Sequence, residues 1–194
     1  MRKAIFLDRD GVINDALFNP DEGKWDSPYT LDEFRMRPGV AQGISMINQM
    51  GFLAVVVSNQ PGVAKGKCDL PFLNALNDKM HQLLNQDGAR LDAIYYCLHH
   101  PDAKRVEYRA VCDCRKPQPG LLLRSARELG INLGASYMIG DSITDVEAGL
   151  TAGCKSILLA VDPVLPQGTS PHAIYSDLVS AVQRIRWDTE RTHS

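Results

Sequence analysis

Short apolar runs that stop abruptly at small or charged residues alternate along this chain with stretches carrying an apolar residue every third or fourth position. Ala4, Ile5, Phe6 and Leu7 form the first run. It has no polar alternation, which predicts a strand buried on both faces. Phe52 to Val57, Leu91 to Tyr96, Ser136 to Ile139 and Ser156 to Leu159 predict four further strands. Between them the period changes to that of a helix. Pro38 and Gly39 open one helix with Val40, Ile44, Ile47 and Met50 on one side, and Gly51 supplies its left-handed cap. Asp69 is placed as the N-cap of a second helix reaching Gln86, with Phe72, Leu73, Leu76, Met80, Leu83 and Leu84 as a core stripe. His81 lies off that stripe and reads as a surface residue. Pro119 starts a third helix, Leu121 to Leu129, closed by Gly130. A fourth ends near Ala152, and Ser176 to Ile185 predicts a last one, with the tail after Trp187 expected to fray.

Strand and helix alternate throughout, so the expected class is α/β: a doubly wound, Rossmann-like parallel sheet with helices on both faces, in a single domain over residues 1–194. One stretch breaks the pattern. Residues 15–36 are polar and punctuated by Pro20, Gly23 and Pro28, which predicts a substrate-facing loop or flap. Trp25 and Tyr29 within it either touch a substrate or anchor the flap.

Composition narrows the function. A chain of 194 residues that is 44% hydrophobic and 23% charged suits one packed domain. A net charge of -2 offers no electrostatic case for nucleic acid or an anionic membrane. The apolar runs are strand-sized and too short to span a bilayer. Asp8 arrives before a signal-peptide core can form, so the cytoplasm is the expected compartment. There, five cysteines read as thiols or metal ligands and not as a disulfide framework.

The chemistry gathers at strand ends. Asp8 and Asp10 follow the first strand, and Gly11 permits the turn that keeps them together. Ser58 and Asn59 follow the second, Lys116 precedes a helix, and Asp141 and Asp145 follow the fourth. In a parallel sheet these ends share one edge, so residues distant in sequence converge. Adjacent carboxylates stay ionised beside a hard cation or a Lys, which predicts a Mg2+ site. Such a set supports phosphoryl transfer: Asp8 attacks phosphorus, Ser58 and Asn59 donate to phosphate oxygens, and Lys116 adds positive charge. Cys97 and His99, then Cys112 and Cys114, form two pairs joined by a connecting loop over 97–114. Four such donors suit a closed, structural Zn2+ site that stiffens the loop carrying Arg115 and Lys116. Cys68 and Cys154 have no such pairing and read as plain thiols, and His100 adjoins the ligand pair without belonging to it.

These pieces, AIFLDRDGVIN, SNQPGVAKG, CRKPQPG and IGDSITD, together resemble the motifs of the haloacid dehalogenase superfamily of phosphatases from Ala4 to about Leu159. The resemblance implies that Asp8 is the nucleophile that becomes a phosphoaspartate and that Asp10 protonates the leaving alcohol and then activates water. It implies Mg2+ held by the Asp8 carboxylate, the Asp10 main-chain carbonyl and Asp141, with Asp145 supporting the site from behind. YYCLHHP and VCDCRKPQPG are similar to the zinc-containing branch of heptose-bisphosphate and histidinol phosphatases. That branch implies a minimal cap, a small phosphorylated sugar or amino alcohol as substrate, and Arg115 as a substrate contact. Two departures concern specificity: residues 15–36 are longer than the segment heptose phosphatases carry, and Ser142 stands where many of them have lysine.

Two other classes fit parts of the pattern. A receiver module is also phosphorylated on Asp, but Asp10 is placed to discharge the phosphate and the cysteine loop has no role in a receiver. A nucleic-acid end phosphatase shares the core, but no basic stripe interleaved with aromatics is present. The expected partner is a small phosphorylated metabolite, with no membrane or nucleic acid, and the protein is expected to be a monomer.

Overall fold

The computed structural model describes residues 1–166 and 168–191. Its frame is a sheet of six parallel strands, with β1 (Ala4–Leu7), β4 (Leu53–Asn59), β5 (Ala93–Cys97), β6 (Tyr137–Gly140), β7 (Lys155–Leu159) and β8 (Ala173–Tyr175) in the order β5-β4-β1-β6-β7-β8. A separate antiparallel ribbon is made by β2 (Leu17–Asn19) and β3 (Lys24–Asp26).

The apolar runs form strands because both of their faces are covered. Successive side chains point to opposite sides of a strand, and each side meets helices. Ile5, Leu7, Ala54, Val56 and Ile139 belong to one core with α1 (Val40–Gln49), α2 (Leu70–Gln86) and α5 (Leu178–Arg191). Ala4, Phe6, Val55, Val57 and Met138 belong to the other, with α3 (Gly120–Leu129) and α4 (Ile143–Ala152). The expected doubly wound layering is therefore present. Register fixes the centre: Phe6 pairs with Val55 on one side and Met138 on the other.

The path of the chain places the crevice. From β1 it moves outward through β4 to β5, then returns to add β6 on the opposite side of β1. Strand order reverses at β1, and ligands of open α/β sheets sit at the carboxyl end of such a switch point. Asp8 and Asp141 directly follow β1 and β6, while Ser58 and Asn59 are the last residues of β4.

Residues 15–36 carry short regular elements of their own. Their base closes as a neck in which Asp15 N–H donates to Arg35 O at 3.0 Å and Arg37 N–H to Ile13 O at 2.9 Å. Above the neck stand the β2–β3 ribbon and a 3-10 turn, Leu31–Glu33, capped by Thr30. The strand β8 went unforeseen, because three residues give too little periodicity to read. The last helix does not fray after Trp187; it continues to Arg191, with Arg184 and Asp188 paired at 3.1 Å and the Arg191 guanidinium 4.4 Å from the Trp187 ring centroid. Residues 192–194 of the expected tail lie outside the described residues. Among the described residues, no helix is long and apolar enough to cross a membrane.

Candidate active site

Asp8 sits at the floor of a cleft of about 230 Å³, lined also by Asp10, Ser27, Ser58, Arg115, Asp141 and Trp25. Its carboxylate is 2.9 Å from Lys116 Nζ, and the same ammonium lies 2.5 Å from Asp145 and donates to Val57 O at 2.9 Å. Lys116 is 4% exposed. Burial alone lowers a lysine's pKa, but Asp145 and Asp8 outweigh it and hold the ammonium above its ordinary value. Asp8 is the converse. Burial lifts it and Lys116 pulls it down, while Asp145 adds repulsion, leaving it raised to about 6. Asp141 is raised to about 7 by burial and by the charges of Asp8 and Asp145.

Oxygens of Asp8, Asp141 and Asp145 lie within 4.8 Å of one another. Asp8 and Asp141 line the cleft and the buried Asp145 does not, so the first two are the pair open to a hard cation, whose charge would favour their ionised forms against burial. Close approach is secured by Gly11, whose φ is +85°. A Cβ there would fall 1.9 Å from Asp141 Oδ2, so no other residue leaves room for that carboxylate. The donor set fits Mg2+.

Asp10 faces a different environment. Its carboxylate accepts from Arg9 at 3.1 Å, Asn14 Nδ2 at 2.9 Å, Ser27 Oγ at 2.7 Å and Gln60 Nε2 at 2.7 Å. Burial pushes its pKa up, but Arg9, Asn14, Gln60 and Ser27 together hold it below the usual carboxylate range. Arg9 is fully buried, its guanidinium 5.5 Å from the Tyr96 ring centroid and donating to Gln60 at 2.8 Å. The Asp10 side chain is thus engaged by four donors at the edge of the same cleft. Arg9, Asn14, Ser27 and Gln60 were missed by sequence reasoning. The one local signal was the burial demanded of Arg9, a cation within an otherwise apolar segment flanked by two carboxylates.

Ser58 Oγ hydrogen-bonds toward Asp8 and accepts from Gln60 Nε2 at 3.1 Å. The Asn59 amide donates to Lys116 O at 3.0 Å and its carbonyl accepts Lys116 N–H at 3.0 Å, so the side chain, which also lines the cleft, holds the lysine's backbone in place. Arg115 reaches the cleft and donates to His99 O at 3.4 Å.

Behind Arg115 the four expected zinc ligands come together. Sγ atoms of Cys97 and Cys112 are 3.5 Å apart, Cys97 and Cys114 3.1 Å, and His99 Nδ1 is 3.4 Å from Cys114 Sγ. Sulfurs on a tetrahedral zinc sit about 3.8 Å apart, which follows from Zn–S bonds of about 2.3 Å. All three cysteines are free thiols despite this proximity. Their number, type and convergence fit a closed zinc centre, and His100 and Cys68 stand outside it.

Asp145 also organises the start of α4. It accepts Ser142 N–H at 3.1 Å and Ser142 Oγ–H at 2.6 Å, closing the first turn of the helix behind Asp141. A Cβ at Gly140 would fall 2.2 Å from that of Asp145, so a glycine there admits the carboxylate beneath the strand end.

Comparison with known proteins agrees with this arrangement. Residues 113–179 match the HAD-hydrolase-like family model. The chain is 42% identical over 163 residues to the D-glycero-beta-D-manno-heptose-1,7-bisphosphate 7-phosphatase of Photorhabdus laumondii, covering 83% of this chain and 82% of that protein. It is 41% identical over 166 residues to the enzyme of the same name from Escherichia coli K12, covering 84% and 83%. Among solved structures, a D,D-heptose 1,7-bisphosphate phosphatase from B. bronchiseptica, complexed with magnesium and phosphate, superposes with a TM-score of 0.78 at 34% identity, over 96% of this chain and 99% of that one. With its parallel sheet, its strand-end carboxylates and relatives that match over most of their length, this chain is a phosphatase of the haloacid-dehalogenase-like hydrolase family.

Proposed function

We propose that this enzyme removes the 7-phosphate of D-glycero-β-D-manno-heptose 1,7-bisphosphate through a phosphoaspartate on Asp8. The observation that carries the reading is the division of labour between two carboxylates one residue apart: Asp8 lies against Lys116 and Asp141, whereas Asp10 is held by Arg9, Asn14, Ser27 and Gln60. Asp8, beside Lys116 and Asp141, is placed to meet the phosphate, and Asp10, ionised in the resting site, passes on a proton that arrives with the phosphate monoester.

An Asp8 oxygen attacks phosphorus, and the bond from phosphorus to the sugar oxygen breaks. Asp10 delivers a proton to that oxygen, so the leaving group departs as an alcohol. Asp10, now ionised, takes a proton from water. The water oxygen attacks the same phosphorus and expels the Asp8 carboxylate, releasing inorganic phosphate. Lys116 and Ser58 stabilise the phosphoryl oxygens during both displacements, and Arg115 holds a substrate phosphate or hydroxyl. Bound magnesium, on the Asp8 carboxylate, the Asp10 carbonyl and Asp141, supplies charge neutralisation that lets two anions meet. Zinc on Cys97, His99, Cys112 and Cys114 holds the loop that presents Arg115 and Lys116. Three cysteines kept as zinc thiolates and two unpaired ones suit a reducing compartment, which is the support for a cytoplasmic location.

Ranking both anomers of heptose bisphosphate, histidinol phosphate and other small phosphate esters by kcat/KM tests the substrate. The β-heptose bisphosphate should rank first, and a higher efficiency on histidinol phosphate would replace this reading. Asp8→Asn should abolish turnover while preserving the folded circular-dichroism spectrum, because it removes charge but little volume.

A further inference from the structure

An aromatic ring stands in water at the mouth of the cleft. Trp25 is 68% exposed and its neighbour across the ribbon, Phe18, is 54% exposed, with their rings edge to face at 5.5 Å between centroids. Neither belongs to the core, yet Trp25 lines the same cleft as Asp8, Asp10 and Arg115. Large apolar groups kept in solvent at a concave site mark a contact surface.

The ring is also held in place. Tyr29 Oη donates to Asp26 at 2.6 Å, Lys67 Nζ lies 2.6 Å from the same carboxylate and also pairs with Glu22, and the ammonium sits 5.4 Å from the Tyr29 ring centroid. Lys67 belongs to the loop after β4, so these contacts clamp the ribbon to the main body. Gly62 backs onto the Tyr29 ring so closely that a Cβ there would fall 2.6 Å from it. On the cleft side, Ser27 donates to Asp10 at 2.7 Å. The ribbon is therefore pinned at both Asp26 and Ser27, the two residues that follow Trp25.

We propose that Trp25 is a specificity-determining residue, the apolar platform on which the carbon skeleton of a phosphorylated sugar rests while its phosphate lies at Asp8. The proposal deepens the phosphatase reading above and rests on it. With the phosphate fixed at the floor by Lys116 and Ser58, the rest of a small ester must leave the cleft past Trp25. The C–H face of a sugar ring packs on an indole, while Asp26, Ser27 and Arg115 at the same rim offer partners for hydroxyls. Tyr29, by contrast, is an anchor of the ribbon.

The test compares Trp25→Ala and Trp25→Phe with the wild type on the sugar phosphate that the wild type hydrolyses best and on glycerol 2-phosphate, which has no ring. Trp25→Ala should lower kcat/KM on the sugar ester, chiefly through KM, by at least about tenfold more than on glycerol 2-phosphate, and Trp25→Phe should recover most of the loss. A second readout uses the fact that the chain has only two tryptophans. Trp187→Phe, a change on α5 outside the cleft, leaves Trp25 as the sole indole. Titration with the sugar monophosphate product should change its fluorescence, whereas inorganic phosphate should not. Equal losses on both substrates, or unchanged fluorescence at product concentrations that inhibit turnover, overturn the proposal. A wild type that rejects heptose bisphosphate but hydrolyses another sugar phosphate overturns only the substrate reading. A wild type that prefers the ring-free ester overturns Trp25 as a sugar platform.

Discussion

At the scale of single residues, the site depends on cations buried beside carboxylates. Lys116 bridges Asp8 and Asp145, and Arg9 grips Asp10. Removing one partner of such a pair leaves the other uncompensated, a loss of about 3–5 kcal/mol in buried settings. Arg9→Met keeps much of the side-chain volume but takes away the charge that holds Asp10 down. We expect the basic limb of the kcat/KM pH profile to move to higher pH, because without Arg9 burial is no longer outweighed and Asp10 keeps to higher pH the proton it must deliver. An unchanged limb in a folded variant would show that the neutral donors Asn14, Gln60 and Ser27 suffice. The strand-end carboxylates and Lys116 were legible in the sequence because each follows an apolar run or precedes a helix. The grip on Asp10 was not, since Gln60 and Ser27 approach it from segments 50 and 17 residues away.

At the scale of elements, the cysteine loop and the ribbon between residues 15 and 36 contrast. The first was readable, because two pairs of donors with one-residue gaps carry their own chemistry wherever the loop goes. Cys112→Ser removes one of the three thiolates that, with His99, make up the four ligands. Purified protein should then lose most of its zinc by elemental analysis and, with Arg115 and Lys116 no longer held, at least about tenfold in kcat/KM, as loss of the structural metal loosens the loop it orders. Full activity in a zinc-free variant would show that the loop holds its shape by packing alone. The ribbon was not readable, since three-residue strands give no periodicity and their pairing is stabilised by distant partners such as Lys67. Asn59 shows the same limit from another side. Its pairing with the Lys116 backbone, 57 residues along the chain, exists only once folding closes that separation.

At the scale of the whole molecule, the convergence of acids makes stability depend on pH and metal together. Asp8 and Asp141 have pKa values raised above 3.8, to about 6 and about 7. Through these two groups the metal-free folded state holds more protons than the unfolded chain between about pH 4 and 7, so their contribution to stability is fullest below that window and falls as pH rises through it. Asp141 is exposed as a residue although its carboxyl packs against Gly11, so solvent screens part of its share and Asp8 contributes the larger part. Magnesium should reverse the trend. Added to the chelator-treated protein, it should raise Tm by several degrees at pH 7.5 and little at pH 5, where protons compete for the same oxygens. Equal shifts at both pH values would mean that the ion binds elsewhere.

What the sequence by itself determined is the local part: which runs become strands, where helices start and stop, and which residues carry chemistry at each strand end. Those features follow from periodicity, capping and donor type, all of which act within a few positions. Tertiary structure alone decided how the carboxylates divide their roles, what Asn59 holds, and that a clamped ribbon sets Trp25 over the cleft. Each of these depends on charge and hydrogen-bond partners that only the crossing at β1 brings within 3 Å or so of one another, and electrostatic interactions are set by distance and burial and not by order along the chain.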